Sequence, residues 1–212
     1  MSQMQRNTQR LDTLFQLSLI NAPEETIYNK ITTLAGEIIG TPVSLMSMVA
    51  DNYQYFKSSV GLPEPYQSKR RTGFSHSFCK HVVQNNAPLI VEDAREHPLV
   101  RDNLAIRDLN VIGYLGIPLT LSDGQSLGSL CVIDADPRQW TQTEIAIMTE
   151  LAEIVTLEFD TRMDVRSKKA DAVMLEQLHE RIETFVSHVD VANTKADVLT
   201  KIRVLRSQFK LK

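Results

Sequence analysis

Between Thr141 and Val189 the chain contains neither glycine nor proline. A stretch of that length without a breaker reads as helix. Pro137 and Thr141 introduce it, and Glu144 stands three residues after Thr141, the spacing of a capping box. Ile145, Met148, Ala152, Val155 and Phe159 mark a face for packing on a domain. A charged stretch over 160–171 weakens the pattern, but without glycine or proline it is expected to stay helical and form no hinge. Beyond it Leu175, Leu178, Ile182, Phe185, Val189, Ala192, Ala196 and Leu199 follow in steps of three and four, a heptad seam. On a lone projecting helix these positions stay wet, although each large one buried is worth about 1.5–3 kcal/mol. The seam therefore needs its own domain, the N-terminal helix around Leu11, Leu14 and Phe15, or a second copy. Continuous helix makes folding back awkward, so a parallel homodimer is expected through Leu175, Leu178, Ile182, Phe185 and Val189. The Ala192 and Ala196 end is its weaker half.

The preceding residues change period repeatedly. Leu11, Leu14, Phe15 and Ser18 suggest a first helix over roughly 4–20. Pro23, Glu24 and Glu25 open a second, since proline suits the first helical position and acids the positive end of the dipole. Ile27, Ile31, Leu34 and Ile38 continue it to Gly40. Residues 43–49 and 53–57 form a hairpin around Asp51 and Asn52. Residues 62–73, with two prolines and the Lys69, Arg70, Arg71 triplet, read as an ordered, solvated loop. Ser75 or Ser77 caps a short helix ending at Asn85 and Asn86. Residues 88–92 form a brief strand, and 93–111 a loop with a turn or two of helix. Residues 112–121 and 126–133 make a second hairpin around residues 122–125. This order implies an α+β sandwich, an antiparallel sheet with helices on both faces and a long helical, coiled-coil extension. The division expected is 1–160 and 161–212.

Composition removes several classes. The formal net charge is −3, and the basic clusters are short, so no nucleic-acid partner is expected. Two cysteines without metal-ligand spacing suit a reducing compartment rather than a disulfide framework. A polar N-terminus and no apolar run near 20 residues point to a cytoplasmic protein without a membrane partner.

Pro23-Glu24-Glu25, the 53–57 strand, Ser77-Phe78-Cys79, the 88–93 strand and Asn103 occur in the order found in bacterial GAF domains. So do Tyr114-Leu115-Gly116-Ile117-Pro118-Leu119, Gly124, the 127–134 strand and Pro137-Arg138. Over about residues 11–160 the chain resembles that family. The resemblance implies a sensory module with a pocket between one face of the sheet and residues 74–86 and 93–111. It also implies terminal helices on the other face that often dimerise. Phe56, Ser77, Cys79, Asp93, Asn103 and Tyr114 are the ligand-binding candidates. The cofactor is left unknown. Cyclic-nucleotide relatives carry an Asn-Lys pair that is absent here, where Asp134-Ala135, Trp140 and Thr143-Glu144 stand in the matching region. Bilin relatives attach pigment through Cys followed directly by His. Here Cys79 and His81 are separated by Lys80 and lie about 200° apart on a helix. Methionine sulfoxide reductases of this type need several cysteines, and only Cys79 lies near their pattern, with Cys131 in a strand expected to be buried.

Cys79, in the first turn of its helix beside Lys80, His76 and His81, reads either as a redox-sensitive thiol or as a small core residue. His76, His81 and His97 lack the further ligands of a zinc site. Asp93, Arg95, Asp102, Asn103 and Arg107 form a polar loop over the expected pocket. Ser187-His188 lacks the acidic and proline residues of a phosphoacceptor segment. The function expected is therefore a non-catalytic GAF sensory module that binds a small ligand or protein and relays it through a dimeric helical bundle to a partner in trans. A ligand-free dimerisation or interaction scaffold and a thiol-based redox sensor or reductase using Cys79 are the alternatives.

Overall fold

A computed structural model describes residues 3–167 and 172–208. Its centre is a six-stranded sheet: β1 (Val43–Val49), β2 (Tyr53–Val60), β3 (Arg71–Gly73), β4 (Leu89–Val91), β5 (Gly113–Thr120) and β6 (Ser126–Asp134). The spatial order is β3-β2-β1-β6-β5-β4, and every neighbouring pair is antiparallel. Both expected hairpins are present. The edge strand β3 lies inside the 62–73 segment read as loop, after a short helix α3 (Tyr66–Lys69). Three residues carry too little alternation to be seen in sequence. Its supposedly solvated basic triplet is partly built in: Arg70 donates to the carbonyls of Lys57 and Ala22 at 2.9 and 3.3 Å.

Side-chain alternation divides the core in two. Leu115, Ile117 and Leu119 of β5 and Leu130 and Val132 of β6 face a helical layer. Tyr114, Cys131 and Ile133 face the opposite way, toward α4 (Cys79–Asn85) and the loop bearing α5 (Ala105–Leu109). The helical layer holds α1 (Gln3–Gln16), α2 (Thr26–Ile39), α6 (Gln142–Arg166), α7 (Ala172–His188) and α8 (Lys195–Ser207). α2 ends where expected, with Gly40 left-handed at φ 76°. Pro23 does not occupy its first turn, because Glu25 is the N-cap. The carbonyls of Ala22 and Pro23 instead accept from Tyr55 Oη and Lys57 Nζ, both at 2.9 Å. α1 stops before residue 20, since Ser18 takes a left-handed φ of 57°. Thr141 and Glu144 form the capping box expected at the start of α6.

The C-terminal segment is helical, but it does not project as one rod. α6 ends at Arg166, and residues 168–171 of the charged stretch lie outside the described residues. α7 then packs on α2 and α6, and α8 on α6. Leu178, Ile182, Val198, Ile202 and Leu205 are buried in the same cluster as the sheet. Folding back thus supplies the seam's partner within the chain, the arrangement that continuous helix seemed to disfavour. The seam is also interrupted. Residues 189–194 leave the helix, and Thr194 caps α8 by accepting from the Asp197 amide. Of the expected interface, Leu178 and Ile182 are buried, Leu175, Phe185 and Val189 half-buried, and Ala192 and Ala196 exposed. In the N-terminal helix Leu14 is buried and Phe15 is 53% exposed. The 160/161 division falls within α6.

Electrostatics hold the folded-back helices. α6 buries the carboxylates of Glu144, Glu150 and Glu158, and each meets a cation from α7 or α8 or a histidine. Glu144 pairs with Lys195, and Glu150 with Arg203 and Arg206 at 3.0 Å each. Glu158 receives His179 Nε2 at 2.9 Å.

Candidate functional site

The second face of the sheet, α4 and the α5 loop enclose a cavity of about 30 Å³. That is room for a water molecule. Phe56, Phe78, Cys79, Leu109 and Tyr114 are among its walls. The sequence expected a pocket here, and it is filled mainly by its own side chains.

Tyr114 and Cys79 line the cavity, and Cys131 lies directly behind them. Tyr114 Oη lies 3.3 Å from Cys79 Sγ, and Cys131 Sγ lies 3.9 Å from Cys79 Sγ. All three residues are buried. Gly116 permits this. A Cβ there would stand 2.3 Å from Tyr114 Oη, so the ring folds over a position without a side chain. Gly116 is also the cross-strand partner of Cys131, which brings the phenol over that thiol's strand. Phe78 packs on the other side of Tyr114, ring centroids 5.2 Å apart.

A buried amide organises the wall beside them. Gln54 Oε1 accepts from Ser77 Oγ at 2.6 Å and Ser47 Oγ at 3.2 Å. Its Nε2 donates to Thr72 Oγ1 at 2.8 Å and the His76 carbonyl at 3.2 Å. Neither Ser75 nor Ser77 is the N-cap of α4, which is Phe78, although Ser77 Oγ, one residue earlier, accepts from the Lys80 amide at 3.1 Å. Asn103 Nδ2 donates to the Ser77 carbonyl at 3.2 Å, tying the α5 loop to the start of α4. At the rim, His76 Nε2 meets Asp108 Oδ2 at 3.0 Å. Hydrogen bonds from Arg107 and then His76 hold the Asp108 carboxyl at about 2.

Of the six candidates, Phe56, Cys79 and Tyr114 line the cavity, while Ser77 and Asn103 brace its wall through hydrogen bonds. Asp93 is turned to its own loop, where Arg95 Nε donates to it at 2.8 Å. Arg95 lowers its carboxyl. It does not line the cavity. Cys131 and Gln54 belong to the site but were not singled out in sequence: residue 131 is 52 positions from Cys79, and no local pattern announces the contact. Among the described residues no group of three or more His, Cys, Asp or Glu could hold a metal ion. None of their helices is long and apolar enough to cross a membrane.

A second polar system begins behind the pocket wall. Phe56 faces the cavity, so the next residue in β2, Lys57, faces the helices. Its side chain is fully buried, with Nζ 2.8 Å from Glu25 Oε1. Glu25 accepts from Arg162 Nη2 at 2.8 Å, and Arg162 donates to Glu158 Oε1 at 2.6 Å. Glu158 also takes the Tyr28 hydroxyl at 2.7 Å and His179 Nε2 at 2.9 Å. Burial lowers the Lys57 amine, with Glu25 opposing. Burial would raise the Glu25 carboxyl, but Arg162 and Lys57 hold it below its ordinary value. Five charged or titratable side chains thus join β2 to α7.

The GAF domain family model matches residues 23–159. A cyclic di-GMP phosphodiesterase of Pseudomonas aeruginosa is 30% identical over 148 residues, which cover 69% of this chain. The chain accordingly spans about a quarter of that relative, 24% of its length. Among solved structures, the blue-light absorbing form of the PixJ GAF domain of Thermosynechococcus elongatus aligns with a TM-score of 0.54 at 19% identity, covering 79% of this chain and 95% of that one. The GAF domain of a phosphoenolpyruvate-protein phosphotransferase from Coxiella burnetii gives 0.53 at 19% identity, covering 79% and 98%. A type II free methionine-R-sulfoxide reductase from Thermoplasma acidophilum gives 0.51 at 11%, covering 72% and 94%. These likenesses establish the fold.

Proposed function

The chain belongs to the GAF domain family, and from that premise we propose a sensory signalling module, not an enzyme, whose pocket state is relayed to the α7–α8 pair. The observation that carries this reading is the chain of contacts from buried Lys57 through half-buried Glu25 and buried Arg162 and Glu158 to half-buried His179. A shift of β2 at Phe56 moves Lys57 with it, because the two are neighbours on opposite faces. Buried charges tolerate little separation: removing one partner of such a pair costs about 3–5 kcal/mol. The network therefore converts a small displacement at the pocket into a bias on α7 docking. A signalling protein in trans would read the docked or released pair. The 30% identity to a protein named a cyclic di-GMP phosphodiesterase supports a role in signalling, and that activity is the relative's own.

In its present shape the pocket admits only a molecule of about water size, so a larger ligand enters by displacing α4 or the α5 loop. Hydrogen exchange tests the relay. Phe56→Leu is expected to alter exchange in α7, on the far side of the sheet, as well as in α4. Altered exchange in α4 with α7 unchanged would refute it. Native mass spectrometry of protein from its own host supplies the ligand; an empty protein would favour the scaffold reading.

Homodimerisation is a second reading. It is favoured by a groove between α7 and α8, lined by Phe185, Val189, Val204 and Leu205, where Val204 is 54% exposed. A copy of the same helical pair is its occupant in this reading. Sedimentation would show a wild-type dimer that Val204→Asp converts to monomer; an unshifted dimer places the interface elsewhere.

A further inference from the structure

We propose that Cys79 and Cys131 are a peroxide-responsive thiol pair that closes to an intramolecular disulfide beside the pocket. The two sulfurs are already 3.9 Å apart. An S–S bond of about 2.0 Å needs an approach of under about 2 Å. Cys131 is held in β6, at the middle of the sheet, so α4 supplies the movement. Cys79 is its first residue, and the segment before it is a short 3₁₀ turn, Phe74–His76.

The surroundings assign the two thiols different parts. Hydrogen bonding from Cys131, helped by Tyr114 and opposed by burial, lowers the Cys79 thiol. Its hydrogen bond to Cys79 and burial push the Cys131 thiol up. Of the two thiols only Cys79 lines the cavity, so it is the one that peroxide reaches and it attacks as the thiolate. The cavity volume of about 30 Å³ admits water. Hydrogen peroxide is little larger, whereas bulky oxidants and alkylating reagents are excluded.

The chemistry balances with hydrogen peroxide as oxidant. The Cys79 thiol first gives its proton to solvent; the thiolate then attacks one peroxide oxygen, the O–O bond breaks, and the departing hydroxide takes a proton back from solvent to leave as water. Cys79 is then a sulfenic acid. Cys131 sulfur attacks it, the S–S bond forms, and the sulfenic hydroxyl leaves with the Cys131 proton as the second water. Two thiols are oxidised by two electrons, and one peroxide is reduced. The Tyr114 hydroxyl lies 3.3 Å from Cys79 Sγ and donates to it while Cys79 is a thiolate. The disulfide draws α4 toward β6 and reshapes the cavity that both border. This chemistry stands whether or not the pocket takes a ligand.

The test is graded hydrogen peroxide on the full, reduced chain, read by intact mass, thiol counting and non-reducing peptide mapping. Expected is the loss of both free thiols, a mass lower by two hydrogens, and a Cys79–Cys131 peptide from monomeric protein. In Cys131→Ser the reaction stops at a sulfenic acid, read as a mass gain of one oxygen in the intact protein, and in Cys79→Ser residue 131 stays unreactive. Tyr114→Phe keeps both cysteines and removes one charge-assisted hydrogen bond, so oxidation should slow by about tenfold at neutral pH. Thiols that react only after denaturant, or disulfides only between chains, would overturn the pair. An unchanged rate in Tyr114→Phe would overturn the role given to the phenol.

Discussion

Tyr114 can lie where it does because position 116 carries no side chain. Gly116→Ala sets a methyl 2.3 Å from the phenol oxygen, an overpacked contact of the kind that costs about 1–3 kcal/mol. Denaturant unfolding should show that loss, and peroxide oxidation of Cys79 should slow with it as the hydroxyl is displaced. A variant as stable and as reactive as the parent would mean that the ring relaxes elsewhere. Arg162 makes the opposite kind of contribution. It joins Glu25 to Glu158, whose side chain is 1% exposed. Arg162→Met leaves that carboxylate buried without its strongest partner and is expected to destabilise by about 3–5 kcal/mol. Residues of this kind show how far sequence reaches. Tyr114 was named through the resemblance to GAF domains, and Cys79 also through its place at a helix start. Cys131, Lys57 and Glu158 did not stand out, because their partners are distant in the chain and each resembles an ordinary strand or helix residue locally.

At the scale of elements, hairpins and caps were legible and tertiary placement was not. The 112–121 and 126–133 strands alternate strongly, and Thr141 with Glu144 announces α6, so local physics sufficed. The break at residues 189–194 carried its own signal, Thr194 with Asp197 three residues on, but the heptad spacing across it was the louder pattern. What the spacing could not reveal was that the apolar stripe would meet α2 and α6. The docking of α8 is electrostatic at its first turn, and that gives it a pH dependence. Burial would raise the Glu144 carboxyl, but Lys195, the Thr141 amide and Arg138 hold it at about 2, below its ordinary value of 4.5. A carboxyl depressed on folding contributes stability that is complete above about 4.5 and is lost as pH falls toward about 2. Hydrogen exchange across α8 should therefore accelerate in that window before the sheet is affected. Glu144→Gln should flatten the step, and an α8 equally protected at both ends of the window would show that apolar packing alone holds it.

For the molecule as a whole, the question is whether the residues after 160 form a unit of their own. Sequence placed a division there because the charged stretch weakens the apolar pattern. In the folded chain Leu178, Ile182, Val198, Ile202 and Leu205 belong to the cluster that also contains Met46, Leu115 and Val132 of the sheet. Detaching α7 and α8 would expose those five side chains, at about 1.5–3 kcal/mol each for a fully buried one. It would also strip the buried carboxylates of Glu150 and Glu158 of their partners on the two helices. Both costs fall on the body of the domain as well as on the helices, so the two parts should unfold together. Trp140 reports on the body, since its indole donates to the Val91 carbonyl of β4 at 2.9 Å. Far-ultraviolet circular dichroism reports mainly on helix, much of it in α6, α7 and α8. Urea curves from the two probes are expected to coincide, with a single midpoint. An earlier loss of helix signal while Trp140 stays buried would restore the division at 160, and would make α7 and α8 a tail that docks on an independently stable domain.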